Sequence, residues 1–329
     1  MKKDNKVTSY KDYLESVNKN EIIKMLETFH IDYNKNAKKQ ELIQNVMDNV
    51  NAIVTFTLNL FQIDEYHNIR LFVKKKGKLV IKVNYLLRNF ITNLERHHLV
   101  IKKDEKTFFL PKELLDIYKK ELKKKRLLDK IKATTDEYKL ILGFVDAYGI
   151  IDFNKFHEGY AKLYKLPKEK ALIRIKDIAN FYDEFKVYED KNKIYIANEQ
   201  IDSLKKGKSL LKKIGTFAVY TNEELISIYD FTYMMKFKSY KKLMKFINRN
   251  YYVEKGNFKI INKYVLKPYL TMYQLNPDGA KEVLSSLIDM YFEFNNEKHK
   301  DKFIGLVEKL ALDYPSWDTK GCSEKDDNN

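Results

Sequence analysis

Apolar residues recur along most of this chain at steps of three and four, the period of an amphipathic helix. Near the start, the first stripe is Leu14, Ile22, Ile23, Met25 and Leu26, and the second is Leu42, Ile43, Val46, Met47 and Val50. A polar, extended turn around Ile31 lies between them. Asn18 and Asn20 offer side-chain oxygens to cap the first helix, with Glu21 in its opening turn. The chain continues with the apolar run NAIVTFTLNLFQ and a helix over IDEYHNIRLFVKKKG that closes at Gly77. Over 82–96, Val83, Leu86, Leu87, Phe90, Ile91 and Leu94 fall on one helical face. The period then shortens. Segments 99–102 and 107–110 predict strands about a polar turn at Asp104-Glu105-Lys106, and Pro111 ends the hairpin ahead of the helix KELLDIYKKEL.

The same order returns further on. Thr135-Asp136-Glu137 predicts the start of a helix over YKLILGFVDAYG, and Ile150-Ile151 a short apolar link. A second helix carries Phe153, Phe156, Tyr160 and Leu163 on one face, and Pro167 suits the first position of a third. A second hairpin follows, turning at Asp190-Lys191-Asn192. From 203 to 313 every stripe is helical. The chain therefore reads as mainly α with small β-hairpins. It divides into an N-terminal two-helix module over 1–50, one helix–hairpin unit over 51–122 and a second over 123–202. A helical domain over 203–313 and a Trp-containing segment with a polar tail over 314–329 complete it.

Charge adds a partner class. Lys and Arg number 62 against 46 Asp and Glu, for a formal charge of +16 over 329 residues. That balance suits a polyanion, with nucleic acid ahead of an anionic membrane surface. Lysine is spread along the whole chain, so part of the excess is a solvated surface. The run at 119–132 holds eight bases and two acids, and reads as a solvated helix face with a phosphate-tracking helix as its rival. Hydrophobic residues at 44% supply ordered cores, and 10 Gly with 5 Pro agree with a helical chain. The basic start MKKDNK leads into no apolar stretch, and no run approaches a membrane span. A soluble, cytoplasmic protein without membrane contact is expected.

Candidate chemistry is sparse. Gly207-Lys208-Ser209 imitates the end of a phosphate-binding loop, but Asp202 stands where its first glycine belongs. His97 and His98 are adjacent and point apart, and the other histidines lack spaced partners, so no zinc site is expected. Cys322, the single cysteine, sits in a polar tail without a nearby histidine. Tyr233, Phe237, Tyr240 and Leu243 share one face with Lys236, Lys238, Lys241 and Lys242 around it, the pattern of a packed helix with a basic outer side. The expectation is a protein that is not an enzyme and carries no cofactor or metal.

Two resemblances bear on function. The paired helices, the buried aliphatic Ile31 and the helix start Lys39, Glu41, Leu42, Ile43 resemble the helix-extended-loop-helix of the Rho N-terminal and SAP families. Asn36-Ala37 replace the glycine usual in SAP modules, which favours the Rho-like form. That resemblance implies a small nucleic-acid-binding module with Lys38 and Lys39 at phosphates, where the helix dipole assists. Trp317 and Gly321 further resemble the Trp-x-x-x-Gly segment of a set of bacterial Rho-N-like proteins of unassigned activity, in which a SEC-C zinc motif sometimes follows; that motif is absent here.

Helix, helix and hairpin is the ordering of a winged helix, so both middle units resemble that family. The resemblance implies that Asn84, Arg88, Asn89, Asn93 and Arg96 enter a major groove, with Lys102, Lys103 and Lys106 on the wing. In the second unit Arg174 and Lys176 hold the equivalent face, and Lys186, Lys191 and Lys193 the wing. The expectation is a nucleic-acid-binding protein, DNA ahead of RNA, of a regulatory or phage or plasmid accessory kind. The rival is an adaptor acting on a host or partner complex. The C-terminal helices are expected to mediate self-association or a protein contact.

Overall fold

A computed structural model describes residues 9–81, 85–213, 216–251, 261–291 and 293–323. Its helices in chain order begin with α1 (Tyr10–Ser16), α2 (Lys19–Thr28), α3 (Lys39–Asp48), α4 (Val50–Leu60) and α5 (Ile63–Lys74). After β1 (Lys78–Val80) come α6 (Tyr85–Arg96), β2 (Ile101–Lys102), β3 (Thr107–Phe109), α7 (Lys112–Glu121) and α8 (Leu127–Tyr148). Then follow β4 (Ile150–Asp152), α9 (Phe153–Tyr164), α10 (Lys168–Tyr182), β5 (Phe185–Asp190) and β6 (Lys193–Asn198). The last stretch is α11 (Leu204–Leu211), α12 (Asn222–Tyr229), α13 (Lys238–Asn250), α14 (Lys267–Leu275), α15 (Pro277–Tyr291) and α16 (Glu297–Asp313). A single 3₁₀ turn at Tyr233–Lys236 and a π-helical turn at Asn262–Leu266 precede α13 and α14. The fold is mainly α with small antiparallel sheets. No helix among the described residues is long and apolar enough to cross a membrane.

Two compact bodies divide the chain. The first comprises residues up to 138 together with 172–183; the second comprises 139–171 and everything from 184 onward. In the first body the helix starts follow their sequence signals. Ser9 accepts the Asp12 N–H at 3.1 Å to cap α1, and Asn18 accepts the Glu21 N–H at 2.9 Å to cap α2. Ile31 is buried in the extended link to α3. Phe61, fully buried, centres the core, its ring 5.6 Å from Phe90, 6.4 Å from Tyr118 and 6.3 Å from Phe181. Phe181 comes from α10. Its helix face of Ile175, Ile178 and Phe181 is buried, which is why this stretch belongs with the first body.

Each hairpin gains a third strand. In the first sheet the order is β1-β3-β2, with Leu79 opposite Phe108; in the second it is β4-β6-β5, with Ile151 opposite Ile196. The sequence assigned the residues of β4 to an apolar link and gave those of β1 no element, because three residues carry too little alternation to mark a strand. The helix expected to start at Thr135 instead runs unbroken from Leu127. The Thr135 hydroxyl donates to the Ile131 carbonyl at 2.8 Å and accepts the Ile63 N–H at 2.9 Å, so it serves inside α8 and caps nothing there. Residues 82–84, with Val83 and Asn84, lie outside the described residues, as does the side chain of Leu86.

The second body packs the ends of α8 and β6 against the C-terminal segment. The Trp317 indole N–H donates to the Asp146 carbonyl at 3.0 Å, and its backbone N–H to the Gln274 side chain at 2.9 Å. Trp317, Ile150, Tyr195, Ala197 and Ile201 form one apolar cluster.

Candidate nucleic-acid interface

The N-terminal lysines serve the fold locally. Lys38 sits ahead of α3, where its backbone N–H donates to the Glu41 carboxylate at 3.3 Å, and its side chain is exposed. Lys39 extends its ammonium to the Glu15 carbonyl at 2.6 Å, the C-terminal end of α1. A cation there favours the negative end of that helix.

On α6, Arg88 and Asn89 are exposed and Asn93 is half-buried. Arg96 donates to Asn93 Oδ1 at 2.8 Å and to the Phe181 carbonyl, and lies 3.3 Å from Asp183. It is held to the turn after α10. Beyond α6, Lys102 lies 3.9 Å from Glu95, while Lys103 and Lys106 are exposed at the hairpin. The turn is built by Asp104, which accepts the N–H groups of Lys106 at 2.9 Å and Thr107 at 2.8 Å; those bonds hold its carboxyl below the usual range.

The face read from the second unit does not stay together. Arg174 and Lys176 lie in the first body, whereas Lys191 and Lys193 stand exposed at the β5–β6 turn of the second. The Arg174 guanidinium is committed: Nη2 lies 2.8 Å from Glu137 and 3.0 Å from the Asn59 carbonyl. Lys176 is half-buried.

A different set of bases converges in the first body. Between α5 and α7 runs a groove of about 640 Å³ whose charged lining is Arg70, Lys74, Lys119 and Lys123, with His67 beside them. Leu71, Val73 and Leu122 supply its apolar part. Lys119 is 3.0 Å from Asp116, and Arg70 lies over the Tyr66 ring at 5.5 Å. Lys74, Lys75, Lys76, Lys78 and Lys123 are all exposed, and none has an ion-pair partner among the described residues. The tract bends where Gly77 adopts φ +84°. Its carbonyl accepts the Leu110 N–H at 2.8 Å, and a Cβ there would press on Leu115 of α7 at 3.0 Å. That turn joins the groove to the open face of the sheet, where Lys78 and Lys103 lie 5.8 and 6.0 Å from the Phe109 ring centroid. Sequence reasoning treated 119–132 as a solvated face and assigned no role to 74–78. The signal present was the pair of lysine runs; their convergence depends on α5 packing on α7.

In the second body burial raises the Asp146 carboxyl above its usual range. Asn198 donates to it at 3.0 Å and Lys267 lies 3.9 Å away. These contacts tie the end of α8 to the end of β6. No three His, Cys, Asp or Glu side chains gather as a metal site among the described residues. Comparison with known proteins finds no family model, no curated protein and no solved structure that matches this chain.

Proposed function

We propose that this chain is a non-enzymatic nucleic-acid-binding protein, taking DNA ahead of RNA, whose contact surface is the basic tract of the first body. One observation carries the reading: the α5–α7 groove has only bases among its charged lining residues, and exposed Lys75, Lys76 and Lys78 continue from it, these three with Lys74 and Lys123 having no ion-pair partner among the described residues. Neighbouring cations repel one another and gain most when phosphates lie between them. The strand–helix–helix–hairpin order from β4 to β6 supports a winged-helix reading of that segment. Its second helix, α10, however, spends Arg174 on Glu137, so the contact is assigned to the groove and to exposed Arg88, Lys103 and Lys106.

The test is binding of the full chain to a labelled random duplex across a salt series. Five lysines at phosphates give a slope of log affinity against log salt of about −4.5, at roughly 0.9 per contact. The double change Lys74→Glu and Lys123→Glu flattens that slope and weakens binding without moving the thermal midpoint. Absence of binding at low salt, or affinity indifferent to salt, overturns the reading.

A further inference from the structure

We infer that the open face of the β1-β3-β2 sheet is a stacking platform for unpaired nucleotides, with Phe109 taking a base and Lys78 and Lys103 the flanking phosphates. The inference rests on the nucleic-acid reading above and names the form of ligand.

Alternation along the strands sets the two faces. Leu79 and Phe108, each 5% exposed, point into the core. Their neighbours point the other way: Lys78 is exposed, Val80 is 51% exposed, and Thr107 and Phe109 are half-buried. Directly paired residues share a face, and Phe109 pairs with Lys78 on one side and Ile101 on the other. The centre of a solvent-facing sheet therefore carries an aromatic ring flanked by Ile101 and Val80 and rimmed by lysines.

The charges select the ligand. Both ammonium groups lie over the Phe109 ring at the outer limit of cation–π attraction, so little is lost when they move to a phosphate. A stacked base leaves its two phosphates on either side of the ring, within reach of lysines on the two neighbouring strand segments. Bases in a duplex have both faces covered by their own neighbours, so only an unpaired strand can use the ring. From Lys78, the residue paired with Phe109, the β1 backbone runs back through the Gly77 turn to Lys76, Lys75 and then Lys74, which lines the groove. One strand can thus stack on the sheet and continue along the groove.

The experiment compares the full chain with Phe109→Leu, Phe109→Trp and Lys74→Glu/Lys123→Glu, using labelled oligo(dT), oligo(U) and a duplex of equal length. Phe109→Leu is expected to weaken oligo(dT) or oligo(U) binding roughly five- to hundredfold while duplex affinity stays within about twofold. The two single-stranded arms show whether DNA or RNA is preferred. Phe109→Trp keeps affinity, and its emission is quenched as oligonucleotide is added; Trp317, 2% exposed, does not respond. Single-strand affinity unchanged in Phe109→Leu, with loss only in the groove variant, overturns the platform and leaves the groove reading standing. No binding of any nucleic acid by the parent chain overturns both.

Discussion

Trp317 occupies the space that a side chain on Gly149 would need: a Cβ there would lie 2.6 Å from Cδ2 of the indole. Gly149 also holds φ +70°, a conformation that side-chain-bearing residues adopt at a cost. The Trp317 loop is closed by the Gly321 N–H on the Ser316 carbonyl at 2.7 Å and the Ser316 N–H on Cys322 at 2.9 Å, so it cannot simply slide away. Gly149→Ala adds backbone strain to overpacking, and is expected to destabilise the second body by about 2–5 kcal/mol. The chain has one tryptophan, and it is buried, so its emission reports this body directly. Urea titration by tryptophan emission should show an earlier midpoint. Trp317→Leu, which removes the emission probe and is therefore followed with the other variants by circular dichroism, should reduce the penalty of Gly149→Ala, the coupling expected of touching residues. Two fully additive changes would remove the packing account.

His97 supplies a pH dependence in the first body. Its ring stacks on Phe181 at 4.8 Å and 3°, and Nε2 lies 3.0 Å from the Phe181 carbonyl, which only accepts. The ring therefore carries a proton on Nε2 and donates it to that carbonyl. Burial pushes this imidazole down to about 4, with the neighbouring Arg96 and His98 charges adding to the effect. The unfolded chain binds a proton near pH 6.5, the folded one only near 4, so between those values the unfolded state holds more protons. The contribution is fully present above about pH 6.5 and is lost as pH falls toward 4, amounting to about 3 kcal/mol. His97→Gln keeps an N–H for the carbonyl without the titration. Stability measured from pH 7 to 4 should fall less steeply in that variant. Parallel curves would show that other groups carry the acid response.

Arg174 was the obvious candidate for a nucleic-acid contact in α10, and its surroundings give it another task. Glu137 has a side chain only 7% exposed, and the guanidinium reaches it from Nε at 3.1 Å and Nη2 at 2.8 Å. Arg174→Ala leaves a buried carboxylate without its cation, a loss of about 3–5 kcal/mol. Glu137→Gln in the Arg174→Ala background should recover part of it, because no charge is then stranded. Denaturation midpoints of the two variants decide the matter. A neutral Arg174→Ala with a large loss of DNA binding would return this arginine to the interface.

Helices and hairpins were legible where one local signal sufficed. The stripe Leu87, Phe90, Ile91 and Leu94 is buried as its spacing predicts, and the β5–β6 turn falls at Lys191-Asn192, where Lys191 takes φ +52°. What escaped needed a partner distant in sequence. The residues of β1 become a strand only because β3 pairs with them. Arg96 looked like a free polar-face arginine until the Phe181 carbonyl stood beside it. The groove combines Arg70 and Lys74 with Lys119 and Lys123, and only helix packing places those runs side by side. Charge runs reveal that a surface is basic, but their convergence is a tertiary fact.

The stretch over 1–50, a module of its own in the sequence reading, falls within the first body. Tyr10 is fully buried, with its N–H 3.3 Å from both oxygens of Glu113 on α7. Phe29 packs edge-on against Phe56 of α4 at 5.6 Å and against His97 at 6.2 Å. His30 Nε2 lies 2.6 Å from Asp177 of α10, and Tyr13 reaches His98 Nδ1 at 3.2 Å. Residues 10–50 thus meet α4, α7, α10 and the turn after α6 through buried Tyr10 and Phe29, half-buried Tyr13 and exposed His30. Phe29→Ala should cost about 3–5 kcal/mol, since its ring fills space between α4 and the end of α6. Deleting residues 1–50 should lower the melting transition of the first body steeply or abolish it, while the Trp317 emission of the second body stays native-like. Limited proteolysis of the intact chain should release no stable fragment ending near residue 50. A deletion protein that melts as the parent does, or a clean early cut near that position, would restore the module as an independent unit.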